Sequence, residues 1–551
     1  MAQPPMLLMR RYAPLALALW CCPVFVRAQH THPCRFCPPE PEWAEAEGPR
    51  RLEEEGPAEI VVDLGSRRQT LQAWGTSLCW WANGVGGWSN WAKLEELLDL
   101  IFSNFTSDSM RSAIRNGDSL PMSLGLTQVR YNIGGGEAPQ YMHFMRPGGA
   151  VEGYQAANGT WNWQADKTQR RVLAGAVYRG ANLVHAFSNS PPAWMTISGS
   201  ATGARKGESN LKPEHYDMFA KYLAVVVKRF ATDPAMLNGW GTLVFDAVTP
   251  INEPNADWWK FGNDQEGCHF SPSEQSTIVG KLDSQLKAIG VASMPVSAAE
   301  ENWVDGTVRS VRGYSDDVVG KLGLVTTHTY GASAWARPAL AKWAAAHGKP
   351  LWNSEYGTGS GPLQGGIQLA QAIVADLMDL NCTVWTLWQA VDLDNDLGKS
   401  GWGGIAATFG AKDADFVIRK QYYSYKQFTA FIRPGSTLLS LSVGSKDVSA
   451  IAAIAAVPFG ESSDGTTIVL VAANAVATSV QAPVTFKGVP KSATVKHVSL
   501  FLTDATHDCI PVDAPSFKSD GGELALPPHS ISTLVIDLEH TKGLAPSTIF
   551  M

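Results

Sequence analysis

Two short segments of this sequence carry carboxylates in a setting suited to acid/base or nucleophilic work. Thr249-Pro250-Ile251-Asn252-Glu253-Pro254-Asn255 closes an apolar run, and Glu253 is framed by two prolines whose fixed φ restrains the backbone around it. Leu351-Trp352-Asn353-Ser354-Glu355-Tyr356-Gly357 closes a second apolar run, with Glu355 placed 102 positions after Glu253. A helix start or a solvated loop would also accept a glutamate. Here each follows directly on a hydrophobic strand pattern, which is a better reason to hold it rigid. Paired carboxylates can split a glycosidic bond, one protonating the leaving oxygen while the other attacks the anomeric carbon. To do so they must flank one substrate bond, so the elements that position them decide the matter.

Eight short β-rich runs recur at wide spacing, at 72–77, 127–131, 183–187, 245–249, 294–298, 324–327, 351–353 and 383–387. Helical stretches alternate with them, among them 91–102, 213–231, 272–289, 334–346 and 366–380. Strands alternating with helices eight times predict an α/β fold, a (β/α)8 TIM barrel over 72–430, with catalytic groups at the C-terminal ends of strands. Glu253 then ends the fourth strand and Glu355 the seventh, which face each other across the barrel mouth. After Phe431 the pattern becomes short alternating strands such as 468–472, 495–502 and 532–536, broken by Gly, Pro, Asp and Asn. This predicts an all-β sandwich over 431–540. An isolated strand at 60–64, within 59–71, has no place in the barrel, so the sandwich is expected to be built from both chain ends.

The chain has 551 residues, 45% hydrophobic and 17% charged, a composition that can bury a large core. Lys and Arg number 44 against 51 Asp and Glu, and no basic run occurs, which excludes a nucleic-acid partner. Arg10 and Arg11, the apolar run from Ala13 to Trp20 and the small-residue site at Val26-Arg27-Ala28 read as a secretory signal peptide over 1–28. Its removal takes away three arginines and no acid, so a net charge of −7 becomes −10. Residues 29–58, rich in Pro and Glu, read as a disordered linker. No later apolar run approaches the roughly 18 residues that cross a bilayer, so a secreted protein without stable membrane insertion is expected. Six cysteines follow the leader, Cys34, Cys37, Cys79, Cys268, Cys382 and Cys509, an even number that favours disulfides in an exported chain, with the pairing open. Asn104, Asn158 and Asn381 begin glycosylation sequons. Trp is as common as Phe, at 20 each. Indole faces suit both sugar stacking and core packing.

The two acid-bearing segments and the sandwich built from both ends resemble glycoside hydrolase family 30. Within it, Trp74-Gly75-Thr76-Ser77-Leu78-Cys79-Trp80-Trp81-Ala82, Arg130-Tyr131-Asn132-Ile133-Gly134-Gly135 and Gln265-Glu266-Gly267-Cys268-His269-Phe270 are most similar to the endo-β-1,6-galactanase subgroup. The resemblance spans roughly 59–538. It implies Glu253 as general acid/base, Glu355 as nucleophile, no cofactor, and a polysaccharide or oligosaccharide substrate. Arg130 ends the second strand, where a guanidinium beside Glu355 would keep it ionised. Asn252 is expected to donate to the sugar 2-hydroxyl. His328 and Tyr330 end the sixth strand and could reach Glu355 or the sugar, and Trp388 at the eighth resembles the family's stacking platform, with Trp385 serving barrel packing. One departure concerns the third strand, where many relatives carry Trp before Ser-Pro-Pro and this chain has Asn189. A polar amide there fits the axial 4-hydroxyl of galactose. Trp80, Trp81, Trp258 and Trp259 line flanking subsites or pack the lid.

Competing signals are weak. Asp392-Leu-Asp394-Asn-Asp396 begins like a calcium loop but lacks its glycine and final glutamate in register, and His30, His32, Cys34 and Cys37 are cramped for tetrahedral zinc, so no metal is expected. Gly357 to Gly366 reads as a flexible active-site loop without a P-loop lysine. Neither H-E-x-x-H nor G-x-S-x-G occurs. The readings that stay open are another family 30 specificity, namely glucosylceramidase, β-1,6-glucanase or xylanase, and a non-catalytic carbohydrate-binding protein.

Overall fold

The computed structural model describes residues 58–105, 107–395, 401–459 and 465–540. The expected signal peptide, the linker to residue 57, Cys34, Cys37 and Thr106 of the first sequon lie outside the described residues. Strand β1 (Ile60–Thr70) is followed by eight parallel strands that close into a barrel: β2 (Ala73–Ser77), β3 (Gln128–Asn132), β4 (Leu183–Phe187), β5 (Ala247–Thr249), β6 (Val296–Ala299), β7 (Leu322–His328), β8 (Leu351–Tyr356) and β9 (Val384–Leu387). Pairing runs around the ring in sequence order and closes where Ala73 meets Val384. Almost every residue of these strands is buried, as strands covered on both faces require. The fifth barrel strand begins two residues later than the sequence suggests and ends at Ala299, which brings Glu300 to its C-terminal end.

Helices cover the barrel, and their starts are written locally. Asn90 accepts from Lys93 N at the head of Trp91–Phe102. Ser271 and Glu274 form a capping box before Pro272–Ala288. The helices expected at 334–346 and 366–380 occupy Ala336–Ala346 and Pro362–Met378. Within the ring, Ala73, Ala247, Leu324, Trp352 and Val384 form an apolar plug, and polar side chains including Gln128, Arg130, His185, Thr249 and Ser297 are buried in the same strands.

Past the barrel, β10 (Val391–Leu393), β11 (Ile405–Ala407) and β12 (Phe416–Ile418) form a small sheet. The strands β13 (Thr437–Val443), β14 (Val448–Ile454), β15 (Thr466–Asn474), β16 (Val480–Lys487), β17 (Ala493–Thr503), β18 (Asp508–Val512), β19 (Phe517–Lys518), β20 (Gly521–Leu526) and β21 (Ser530–His540) then make a ten-stranded sheet that includes β1. β1 sits between β13 and β16, antiparallel to the first and parallel to the second. It runs six residues beyond the expected 60–64. The alternation along β15 shows how one strand serves two cores: Ile468, Leu470 and Ala472 fill the sandwich interior, while Val469, Val471 and Ala473 join the larger core that includes the barrel helices.

The cysteine expectation is overturned where it can be judged. Cys79, Cys268, Cys382 and Cys509 are each buried and unpaired. They sit in separate parts of the core and behave as small apolar residues.

Trp74 ties the helix Lys420–Thr429 to the barrel. Its indole is fully buried between Trp385, Tyr425 and Phe428, and its Nε1 donates to Ile432 O at 2.6 Å. Replacing it with alanine opens a large cavity and orphans that carbonyl. Trp74→Ala is therefore expected to lose about 3–5 kcal/mol of stability, read as a fall in the denaturant midpoint; a loss under about 1 kcal/mol would show that the helix carrying Tyr425 and Phe428 closes over the gap.

Candidate active site

Glu253 and Glu355 emerge at the C-terminal ends of β5 and β8 and share one cavity of about 390 Å³. Its walls include Trp80, Asn189, Asn252, Tyr330, Trp388 and Trp402. Oxygen atoms of the two carboxyls and a ring nitrogen of His328 all lie within 4.8 Å of one another. Both glutamates are buried, with Glu253 7% and Glu355 4% exposed. Glu253 adopts φ 45°, a left-handed conformation that costs a non-glycine residue about 1–3 kcal/mol and persists only when its surroundings enforce it. They do so here. Its N–H donates to Glu300 O at 2.7 Å, and its own carbonyl accepts from Trp259 Nε1 at 2.8 Å.

Arg130, fully buried on β3, stands below the pair. Its Nη1 donates to Glu355 at 2.6 Å, and its Nη2 donates to Asn252 Oδ1 at 2.6 Å and to Glu300 at 3.0 Å. The guanidinium lies over the Phe187 ring, 3.5 Å from its centroid. The sequence-based expectation of a guanidinium beside Glu355 is thus met in geometry. Asn252 spends its Oδ1 on Arg130, so any donation to a sugar hydroxyl falls to its Nδ2. Tyr330 OH donates to Glu355 Oε1 at 3.0 Å. His328 Nδ1 faces Glu253 at 3.1 Å and Glu355 at 3.4 Å, and its Nε2 faces Glu300 at 2.9 Å.

These contacts set the charges. Burial disfavours the imidazolium of His328, but Glu355, Glu253 and Glu300 surround it and push it up to about 10, so it is a cation at neutral pH. Burial likewise raises the Glu355 carboxyl above its ordinary range, with the Glu253 charge adding to that, while His328, Arg130 and the Tyr330 hydroxyl pull it back. Glu300 is buried too, yet Arg130 and His328 hold it well below the usual carboxylate range. Two cations therefore confront three carboxyls. Glu253, His328 and Glu355 also converge as cation ligands do. That donor set fits poorly, because both imidazole nitrogens already face carboxylates and a metal would have to displace a strongly held proton.

Trp388 lines the cavity and meets Trp80 edge to face, with centroids 4.9 Å apart. Trp385, as expected, packs inside. Asn189 also reaches the cavity wall; its N–H bonds Asn132 Oδ1 and its Nδ2 lies 3.7 Å from Cys79 Sγ. Of the four flanking tryptophans, Trp80 and Trp259 line the cavity, whereas Trp81 is fully buried with Nε1 on Ser77 O. Trp258 is 40% exposed and outside the lining. Sequence reasoning missed Glu300 and Trp402. The first was findable, since Ala298-Ala299-Glu300-Glu301 follows an apolar run just as the other acids do. Trp402 comes from the segment after β10 and rests on Gly359, where an added Cβ would lie 2.7 Å from its Nε1. A slightly larger cavity, about 430 Å³, opens on the sandwich among Arg115, Lys496, His497 and Asp537, but no Trp, Tyr or Phe lines it.

An acid pair at the mouth of a closed (β/α)8 barrel, walled by aromatic rings, defines a glycosidase-type site. Residues 57–320 match the family described as O-glycosyl hydrolase family 30. An endo-β-1,6-galactanase of Hypocrea rufa is 29% identical over 395 residues, which is 69% of this chain and 76% of that protein. An exo-β-1,6-galactobiohydrolase of Bifidobacterium longum subsp. longum is 30% identical over 260 residues, 38% of this chain and 16% of that protein. Among solved structures, a conserved exported protein from Bacteroides fragilis superimposes with a TM-score of 0.68 at 20% identity, over 87% of this chain and all of that one. It shares the fold.

The raised His328 has a measurable consequence. The unfolded imidazole titrates near 6.5 and the folded one near 10. Its contribution to stability is complete below the first value and is lost as pH rises through the second. The stability advantage of the wild type over His328→Gln, followed by denaturant titration, is expected to be greatest near pH 6 and to shrink toward pH 10. A difference that does not vary with pH would show an imidazole whose titration folding leaves unchanged.

Proposed function

We propose that the chain is a retaining glycoside hydrolase that cleaves β-1,6-linked galactan internally, of the kind found in arabinogalactan side chains. The observation that carries this reading is that an oxygen of Glu253 and an oxygen of Glu355 lie within 4.8 Å of each other. Retaining glycosidases keep their carboxyls about 5–5.5 Å apart, whereas inverting enzymes need about 6.5–9.5 Å to admit a water. Glu355 attacks the anomeric carbon while Glu253 gives its proton to the leaving oxygen. The glycosyl ester on Glu355 is then opened by water, which Glu253 deprotonates as it recovers its proton. Arg130 and Tyr330 orient the attacking carboxylate and take up its charge as the ester breaks. A cluster of two cations and three carboxyls is electroneutral when one proton is retained among the carboxyls, and a general acid requires such a proton.

Specificity for galactan rests on the similarity to two β-1,6-galactan-directed enzymes and on the polar Asn189 in the cavity wall. With Nδ2 turned toward Cys79, the Asn189 Oδ1 is left to accept from a hydroxyl. Trp388 supplies the apolar face under the sugar. The N-terminal leader supports export, and the exported neighbour of the same fold agrees with it. Among the described residues no helix is long and apolar enough to cross a membrane. Asn158, exposed on a tight turn, is the sequon best placed to carry a glycan.

Incubation with β-1,6-galactooligosaccharides, alongside glucosylceramide, β-1,6-glucan and xylan, tests the substrate. Release of short galactooligosaccharides with the β-anomer formed first is expected, and turnover of a rival alone overturns the galactan assignment. Glu355→Gln is expected to lose activity by several orders of magnitude with an unchanged fold. Glu253→Gln should lose about 10²–10⁴-fold, less on substrates with good leaving groups. Unchanged activity in Glu355→Gln would leave only a carbohydrate-binding protein or a different nucleophile.

A further inference from the structure

One carboxyl in the cluster takes no part in the two-acid mechanism. Glu300 directly follows β6, is fully buried, and lies outside the cavity lining, so it does not touch the sugar. Its Oε2 accepts from His328 Nε2 at 2.9 Å, Arg130 Nη2 at 3.0 Å and Ser354 Oγ at 3.0 Å. Its Oε1 has no hydrogen-bond partner and lies 3.9 Å from His185 Nε2. Its backbone is left-handed at φ 58°, and its carbonyl is the acceptor that holds the Glu253 N–H. Burying an ionised carboxyl and straining its backbone both cost free energy, and an apolar residue of similar volume would fill the space more cheaply. The contacts show what the charge does instead. Each of its two cationic partners has its other end on a pocket carboxyl: Arg130 on Glu355, and His328 on Glu253.

Building on the proposed hydrolase reading, we propose that Glu300 is the positioning residue of this site, fixing Arg130 toward Glu355 and the His328 imidazolium toward Glu253. Without it, the guanidinium retains Asn252 and Glu355 but loses an anchor on Nη2, and the imidazole loses the acceptor that fixes its ring plane. The groups facing His328 can be counted from every side. Glu253 after β5 and Glu355 on β8 approach Nδ1, and Glu300 after β6 accepts at Nε2. Arg130 from β3 comes to 3.5 Å of Nε2, His185 on β4 stands beyond Glu300, and the Tyr330 ring lies 6.1 Å away. His185 is neutral at working pH, because burial takes it down to about 4. Among the described residues, Glu300 is thus the one anion that meets both cations without facing the cavity.

Removing that charge leaves two cations against two carboxyls, an environment that releases the retained proton more easily. In Glu300→Gln, kcat is expected to fall 10- to 100-fold with KM little changed, roughly the loss of one to two charge-assisted contacts. The alkaline limb of the pH profile of kcat should move to lower pH by about one unit. Glu300→Asp, which keeps the charge at a longer reach, should lose rate while holding that limb near its wild-type position. A purely structural role would lower stability in both variants and leave the limb where it was. A limb that stays in place in Glu300→Gln, or moves equally in both variants, overturns the proposal. Should Glu300→Gln fail to fold, ¹⁵N-histidine NMR of the wild type decides: a His328 ring carrying both protons at pH 8 supports the assignment, and a neutral ring overturns it. Because that signal needs no turnover, a wild type inert on β-1,6-galactooligosaccharides would overturn the hydrolase reading alone.

Discussion

The buried ion cluster centred on Arg130 is the constraint that the rest of the barrel serves. A guanidinium with no solvent exposure is tolerated only if its donors are met by charged or polar acceptors in good geometry. Glu355, Asn252 and Glu300 meet Nη1 and Nη2, each from a different strand end, while Nε has no protein acceptor. Closing the barrel brings β3, β5, β6 and β8 to a common centre, and no smaller piece of the fold would assemble the set. The dependence also runs the other way: once Arg130 is fixed, it dictates where the Glu355 oxygens lie, and the short carboxyl separation follows. Strain at Glu253 and Glu300 is carried at the same centre, and the two residues support each other through the Glu253 N–H to Glu300 O bond.

A second layer fixes the loops that wall the cavity. Glu266, pushed by burial up to about 8, accepts from Asn132 Nδ2 and from the backbone N–H groups of Gly135 and Val151. Asn132 in turn accepts from Asn189 N, so the cavity wall after β4 is tied to the loops after β3. Trp259 closes the other side by its bond to the Glu253 carbonyl. It lies flat against Gly267, where a Cβ would come within 1.9 Å of the ring. This explains why Glu266 and Gly267 occur together in a loop that bears no catalytic group: one ties down backbone, the other makes room for the indole that holds Glu253.

The architecture was legible because its signals are local and repeated. Eight apolar runs alternating with helical patterns, and a change to short alternating strands after Phe431, follow from periodicity alone. Glu253, Glu355, Arg130 and His328 were legible for the same reason, each standing at the end of such a run. Glu300 stands two residues past the end of its expected run, as Glu355 does, but no proline or aromatic neighbour in Ala298-Ala299-Glu300-Glu301 set it apart. Trp402 carried no signal, since its place depends on a segment folding back over Gly357 and Gly359. The disulfide expectation failed for the four described cysteines because an even count in an exported chain speaks of compartment and says nothing of position. Each of those thiols had already been spent on packing.

Tryptophan abundance admitted two readings from composition, and the structure divides the residues between them on a physical criterion. Trp74, Trp81, Trp88 and Trp385 are sealed in the core, each with its Nε1 bonded to an internal acceptor. A buried indole must find such a partner or pay for its absence. Trp80, Trp388 and Trp402 instead keep part of their surface on the cavity, and Trp80 Nε1 has no protein acceptor. The Trp80 and Trp388 rings meet edge to face at an interplanar angle of 84°, and the Arg146 guanidinium covers the Trp80 ring at 4.2 Å. Of the two rings, Trp388 is the one that Arg146 leaves uncovered, and under the proposed hydrolase reading it is the ring that offers a face to the sugar.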